Sequence, residues 1–156
     1  MKSLLVFYSR TGTTRKVAED LSGMLGCDVE EIVDFKNRTG SFGYLLAGRD
    51  AMMGRLTEIK APLKDPSSYD LVVVGTPVWG FRLSSPVRTY LARTNGSLKR
   101  AAFFCTKGGS GGKKAFKDME DVSGVRPLAT LELTEAEVSS GSYKKRLEEF
   151  AGGLRL

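Results

Sequence analysis

The chain contains no histidine, which removes imidazole acid–base catalysis and the commonest metal ligand. Only two cysteines are present, Cys27 and Cys105. Both sit beside or within strand-like runs without a C-x-x-C spacing, so they read as small buried hydrophobes and not as a disulfide or redox pair. No apolar run approaches the ~20 residues that cross a bilayer. The amino terminus carries one lysine before a strand-like run instead of a signal-peptide pattern, so a cytoplasmic protein without membrane association is expected. Acidic residues are missing from Leu71 through Lys117.

Phosphate-binding and nucleophile motifs are missing as well. Gly108 to Lys114 superficially suggests a P-loop, but the residue five before Gly112 is Lys107, and Lys113 is followed by Lys114 and not by Ser or Thr. No G-x-G-x-x-G follows the first strand, which argues against a Rossmann dinucleotide site. Gly111 stands where a phosphatase loop starting at Cys105 would need its arginine. The net charge of +6 is spread from Lys2 to Arg155 with no dense block, so nucleic acid is not the expected partner. Acidic proteins or phosphate-bearing ligands remain.

What is present is a repeated strand–turn–helix pattern in a chain whose 156 residues suit one domain, 1–156. Leu4 to Tyr8 is a short apolar run rich in β-formers, as in a strand buried on both faces of a parallel sheet. Ser9, Thr11, Gly12, Thr13 and Thr14 follow, and then Val17, Ala18, Leu21, Met24 and Leu25 at helical spacing. The first amides of such a helix lack intrahelical partners and point into the turn with the positive end of the dipole. Hydroxyls and a tight glycine turn there suit an anion, while simple capping with Thr13 as N-cap is the bland alternative.

Strands are further expected at Cys27 to Val33, Tyr69 to Val74, Ala101 to Thr106 and Arg126 to Leu133. Helices are expected after Ser84-Ser85-Pro86, over Ala115, Phe116 and Met119, and from about Ser142 to Phe150. Residues 36–56 mix four glycines with Phe42, Tyr44, Leu45, Leu46, Met52 and Met53. This segment reads as a glycine-rich loop and a short, imperfect helix, serving as a lid, a dimer surface or a covering helix. The third strand ends at Gly75, and Thr76-Pro77-Val78-Trp79-Gly80 forms a loop at the sheet edge where open α/β sheets bind ligands. The fourth ends in Lys107-Gly108-Gly109-Ser110-Gly111. The expected architecture is a three-layer α/β domain with a doubly wound, five-stranded parallel sheet.

These three loops together resemble the flavodoxin family, and the resemblance spans nearly the whole chain. It implies strand order 2-1-3-4-5 and FMN as cofactor, bound at the switch point. By this resemblance Ser9-Arg10-Thr11-Gly12-Thr13-Thr14 matches the loop that holds the FMN phosphate. Thr76, Pro77, Val78, Trp79 and Gly80 would pack on the isoalloxazine, with Trp79 stacking on it or guarding its edge. Thr106, Lys107, Gly108, Gly109, Ser110 and Gly111 would line the pyrimidine side.

The implied function is electron transfer between redox partner proteins such as ferredoxins or flavoprotein reductases, acidic ones suiting the basic chain, from a monomer or homodimer. The alternatives are an FMN-dependent NAD(P)H:quinone-type oxidoreductase and a flavin-free interaction module on the same scaffold. No catalytic residue and no metal site is expected. The chain departs from the family's acidic character through Arg82, Arg88, Lys107, Lys113 and Lys114 near the ring loops. Coulombic attraction from these cations would make the reduction potential of the bound flavin less negative than the family norm.

Overall fold

In a computed structural model the described residues are 1–36 and 38–155. Asn37, inside the segment 36–56, and Leu156, the end of the expected domain 1–156, lie outside them. Five strands make one parallel sheet: β1 (Ser3–Phe7), β2 (Asp28–Glu31), β3 (Leu71–Trp79), β5 (Ala101–Lys107) and β6 (Thr130–Thr134). A two-residue strand, β4 (Arg82–Leu83), turns back antiparallel on β3. The order is β2-β1-β3-β5-β6, which is the expected 2-1-3-4-5 once β4 is set aside.

The alternation of side chains along the strands separates two cores. On one face Leu4, Val6, Val72, Val74, Ala101 and Phe103 pack with Ala47 and Ala51 of α2 (Gly40–Met52). Val87, Tyr90 and Leu91 of α3 (Ser85–Arg93) and Met119 of α4 (Gly112–Ser123) complete that layer. On the other face Leu5, Phe7, Val73, Ala102 and Phe104 meet Val17, Ala18 and Leu21 of α1 (Thr13–Leu25). Val138 of α5 (Glu135–Ser140) and Leu147, Phe150, Ala151 and Leu154 of α6 (Lys144–Leu154) close it. The central strands are apolar on both sides because both sides are covered.

The largest correction concerns β3. The strand does not stop at Gly75; it runs on to Trp79, so Thr76 to Trp79 are strand and not loop. Val72 N–H donates to the Arg100 carbonyl, whereas Gly75 accepts from Tyr8 N–H at 3.3 Å, so alternate residues of β3 face β5 and β1. Pro77 falls on the β1 side, beyond Phe7 where β1 has ended, so its missing N–H costs no ladder bond. Gly80 (φ 53°) and Phe81 (φ 66°) then make a two-residue turn with both residues left-handed, the geometry that matches strand twist in a hairpin.

Other boundaries also move. β2 is four residues, shorter than Cys27 to Val33, and the last strand begins at Thr130 instead of Arg126. A short helix, α5, precedes the expected final one, opened by a capping box in which Thr134 and Glu137 satisfy each other's backbone N–H. The helix inside 36–56 is a regular 13-residue element, α2, and not a fragment.

Candidate functional site

The carboxyl ends of β1, β3 and β5 converge on a cleft lined by Ser9, Arg10, Thr11, Thr13, Thr14, Pro77, Val78, Trp79, Thr106 and Gly108, with Tyr44 and Glu135. Its floor is the turn into α1. Gly12, at φ 107°, is the N-cap in place of Thr13, and its left-handed backbone turns the chain sharply into the helix. Ser9 Oγ accepts from the N–H groups of Gly12 (3.0 Å) and Arg15 (3.1 Å), so this hydroxyl holds the turn together. Among the described residues the amides of Thr11, Thr13 and Thr14 and the hydroxyls of Thr11 and Thr13 have no intrachain partner. Three amides, two hydroxyls and a helix N-terminus form a cradle for an anion of phosphate size.

Thr14 does a different job. Its buried Oγ1 lies 2.8 Å from Thr106 Oγ1 and ties the first turn to the end of β5. Arg10 is fixed by donation to the Arg38 carbonyl at 3.1 Å, with its guanidinium 5.4 Å from the Tyr44 ring centre. That contact attaches α2 to the cradle.

The remaining expected residues are dispersed by role. Thr76 is fully buried, its hydroxyl donating to the Pro77 carbonyl and paired with Ser84 Oγ at 2.8 Å, so it braces the start of α3. Lys107 pairs with Glu132 at 2.6 Å. Gly109 and Ser110 are exposed. Gly111 caps α4, and a Cβ there would stand 2.6 Å from Phe81 Cα, so the third loop is sealed against the hairpin turn. Trp79 is only 6% exposed. The Arg38 guanidinium lies 5.0 Å from its ring centre and Tyr8 meets it edge-on at 5.4 Å. The indole borders the cleft with Arg38 and Tyr8 packed against it.

On the far side of the hairpin lies a second hollow, an apolar cavity of about 450 Å³ bounded by Tyr44, Leu45, Gly48, Arg49, Met52, Met53, Val78, Trp79 and Gly80. Tyr44, Val78 and Trp79 border both hollows. Gly80 belongs to this cavity and not to the hydroxyl-lined cleft.

The wall behind both is charged and dry. Arg38, 2% exposed, donates through Nε to Asp34 (2.5 Å) and through Nη1 to Asp50 (2.9 Å). Lys36 also reaches Asp50, at 3.3 Å, and Thr57 donates to Asp34 at 3.0 Å. Burial pulls the Asp50 carboxyl upward, but the hydrogen bonds from Arg38 and Lys36 outweigh it and hold the group below the ordinary carboxylate value.

A second cluster bears on the electrostatic expectation. Arg82 (3.0 Å) and Arg88 (3.3 Å) share Asp118, the first acidic residue after the carboxylate-free stretch. With Lys107 paired to Glu132, three of the five cations expected to act on the flavin share two carboxylates, Asp118 and Glu132, that lie beyond residue 117. Lys113 and Lys114 are exposed. Both cysteines are free thiols, and burial pushes Cys105 up to about 12, so it stays protonated within the sheet.

Tyr44, Arg38, Asp34, Asp50 and Glu135 are the site-forming residues that sequence reasoning missed. Arg38 and Asp50 had no signal beyond being charges in an apolar segment. Tyr44 carried a weak one, an aromatic on a glycine-bearing helix next to the sheet edge.

The family profile described as Flavodoxin matches residues 47–149, well over half of the chain. The chain belongs to the flavodoxin family. The match starts beyond the first turn, so residues 9–14 rest on their own geometry. No curated protein matches this flavodoxin in sequence. Among solved structures it is similar to a flavoprotein in complex with FMN from Lactobacillus acidophilus NCFM, at 24% identity over 90% of this chain and 98% of that one, with a TM-score of 0.74. It is also similar to an NAD(P)H:quinone oxidoreductase from Methanothermobacter marburgensis, at 16% identity over 100% and 96%, with a TM-score of 0.58. These likenesses establish the shared α/β fold. Among the described residues no helix is long and apolar enough to cross a membrane.

Proposed function

We propose that this flavodoxin binds FMN and transfers electrons between protein partners. The observation that supports it most is the adjacency of a hydroxyl-and-amide cradle to an apolar hollow, joined through Tyr44, Val78 and Trp79. The two halves of FMN, a dianionic phosphate and a flat apolar ring system, match those two environments. When bound, the flavin supplies electron storage, and the protein supplies position and electrostatics.

The amides of Thr11, Thr13 and Thr14 and the Thr11 and Thr13 hydroxyls bind the phosphate. Ser9 holds the turn in the shape that aims them, and the Thr14–Thr106 pair ties the turn after β1 to the end of β5. Buried Trp79 and Tyr8 exclude water from the wall behind. Electron transfer at a bound flavin needs no acid–base side chain from the chain. Partner proteins of acidic character suit the net charge of +6 and the exposed Lys113 and Lys114. Function in the cytoplasm is part of the same reading.

The absorption spectrum of purified protein with and without added FMN tests the first step. A bound yellow chromophore released on denaturation is expected, and a colourless protein that fails to bind added FMN would favour the flavin-free module. The similarity to a quinone oxidoreductase over the full chain makes the reductase the second reading. Rapid steady-state NAD(P)H oxidation with a soluble quinone and no partner protein would select it over the carrier.

A further inference from the structure

The helix α2 turns its large side chains away from the core. A helix laid on a sheet ordinarily points its large apolar residues inward and its polar ones to water. The inward positions of α2 are instead small, Gly43, Ala47 and Ala51, beside the paired Asp50. At Gly43 a Cβ would stand 2.1 Å from the Arg38 carbonyl carbon, so the close seating of the helix demands that small inner side. The opposite side carries Phe42, Leu45, Arg49 and Met52, one stripe at spacings of three, four and three, continued by Met53. The four apolar members are between 59% and 79% exposed. The tip of the β3–β4 hairpin extends the patch: a Cβ at Gly80 would stand 2.4 Å from Met52 Cγ, and Phe81 beside it is exposed.

The same face holds more cations than its carboxylates can match. Arg38 and Lys36 hydrogen-bond Asp50 Oδ2, while Arg49 (3.5 Å) and Arg55 (3.8 Å) stand near Oδ1. Among the described residues Oδ1 has no hydrogen-bond partner, so it engages neither of these half-exposed guanidinia. Even with Asp34 counted, two carboxylates meet four cations. Residues 38–57 contain no acid besides buried Asp50, and residues 71–117 contain none. The outer side of α2 and the hairpin tip therefore expose no negative charge.

We infer that the outer face of α2, with the hairpin tip, binds the surface of an anionic membrane. Apolar side chains of such a face enter the acyl boundary, and arginine stems reach back to the phosphates. A second copy of this chain would set like charge against like, at +6 each. A protein partner would have to supply a surface shaped to Phe42 and Leu45, which stand out singly, and to two unbranched methionines, whereas fluid lipid accommodates them without a matching shape. This departs from the expectation of no membrane association. The lack of a long apolar run argues against a spanning segment, and this face is assembled from a helix and a distant hairpin. The inference goes beyond the flavin reading and does not depend on it.

Co-sedimentation of the purified protein with vesicles of phosphatidylcholine, alone or mixed with phosphatidylglycerol, tests the inference. Binding to the mixed vesicles is expected, with little to phosphatidylcholine alone. Phe42→Ser should weaken it by about tenfold, and Arg49→Gln and Arg55→Gln by about fivefold each. Far-UV circular dichroism should stay unchanged, since these side chains are exposed or half exposed. Lys144→Gln with Lys145→Gln, on α6 across the sheet, should leave binding unchanged. Phe42→Trp should preserve it and move indole emission to shorter wavelength on the mixed vesicles, against a constant background from buried Trp79. Protein that ignores the mixed vesicles overturns the inference and leaves the face to an acidic protein. Binding that the α6 pair weakens and Phe42→Ser does not is unspecific attraction to a basic chain, and overturns it too. So does a dimer in analytical ultracentrifugation that Phe42→Ser returns to monomer, which assigns the face to a second copy.

Discussion

The turn at residues 9–14 and the segment at 36–56 both border the candidate site, yet they are built on opposite principles. The turn exposes donors: among the described residues three amides and two hydroxyls have no intrachain partner, and the Ser9 hydroxyl holds the turn that carries them. The segment buries Arg38 and Asp50, which pair with each other and, through Arg38, with Asp34 just ahead of the segment, while Lys36 joins Asp50 from the surface. A binding surface for an anion needs unsatisfied polar groups on rigid backbone, whereas a helix laid over a sheet edge needs its buried charges paired with one another. The difference locates specificity in the turn and stability in the segment.

Breaking the buried network should therefore cost the most. Arg38→Met leaves two buried carboxylates without their guanidinium, and a loss of about 3–5 kcal/mol in urea unfolding is expected. If that loss falls below about 1 kcal/mol, the carboxylates must find other cations, and the contrast between the two regions fails. Thr11→Ala should leave unfolding nearly unchanged and weaken FMN binding by about 1.5–3 kcal/mol, one hydrogen bond to a charged group, read as a shifted dissociation constant. Gly43→Ala forces a methyl group onto the Arg38 backbone and should destabilise the fold by about 1–3 kcal/mol in thermal melts.

The smallest effect sharpens the comparison through pH. Asp50 and Asp118 both titrate below the ordinary carboxylate value: burial raises each, and hydrogen bonds from Arg38 and Lys36, or from Arg82 and Leu83 N–H, more than offset it. A carboxyl depressed in the folded state stabilises above its unfolded pKa, near 3.9, and that contribution disappears as pH falls through the folded value. Unfolding midpoints should thus fall off below about pH 4, and Asp118→Asn should flatten the slope relative to wild type.

The sheet order was legible because both faces are buried: Leu4 to Phe7 and Leu71 to Val74 had to be near-continuous apolar runs, and intervening helices had to make them parallel. The cradle was legible because its determinants are local, a serine, a glycine and threonines within six residues. The end of β3 was not. Gly75 and Pro77 are ordinary stop signals, and their tolerance depends on β1 having ended one residue earlier on the side that Pro77 faces, which is a property of the register. The pairing of Arg82 and Arg88 with Asp118 was hidden for a similar reason, since it joins residues more than 29 positions apart on separate elements. Tyr44 escaped because α2 is apolar on its inner and outer faces alike, with Ala47 and Ala51 buried while Phe42, Tyr44 and Leu45 are exposed.

The overrun of β3 has a geometric result. Phe7 stands opposite Gly75, and β3 continues four more residues to Trp79, which at about 3.3 Å per residue raises a parapet roughly 13 Å above the rim of its neighbour. A hollow can lie on each side of such a raised blade, one floored by the α1 turn and one by α2. The height of the partition is thus set by unequal strand lengths, a rigid quantity, and not by the span of a deformable loop.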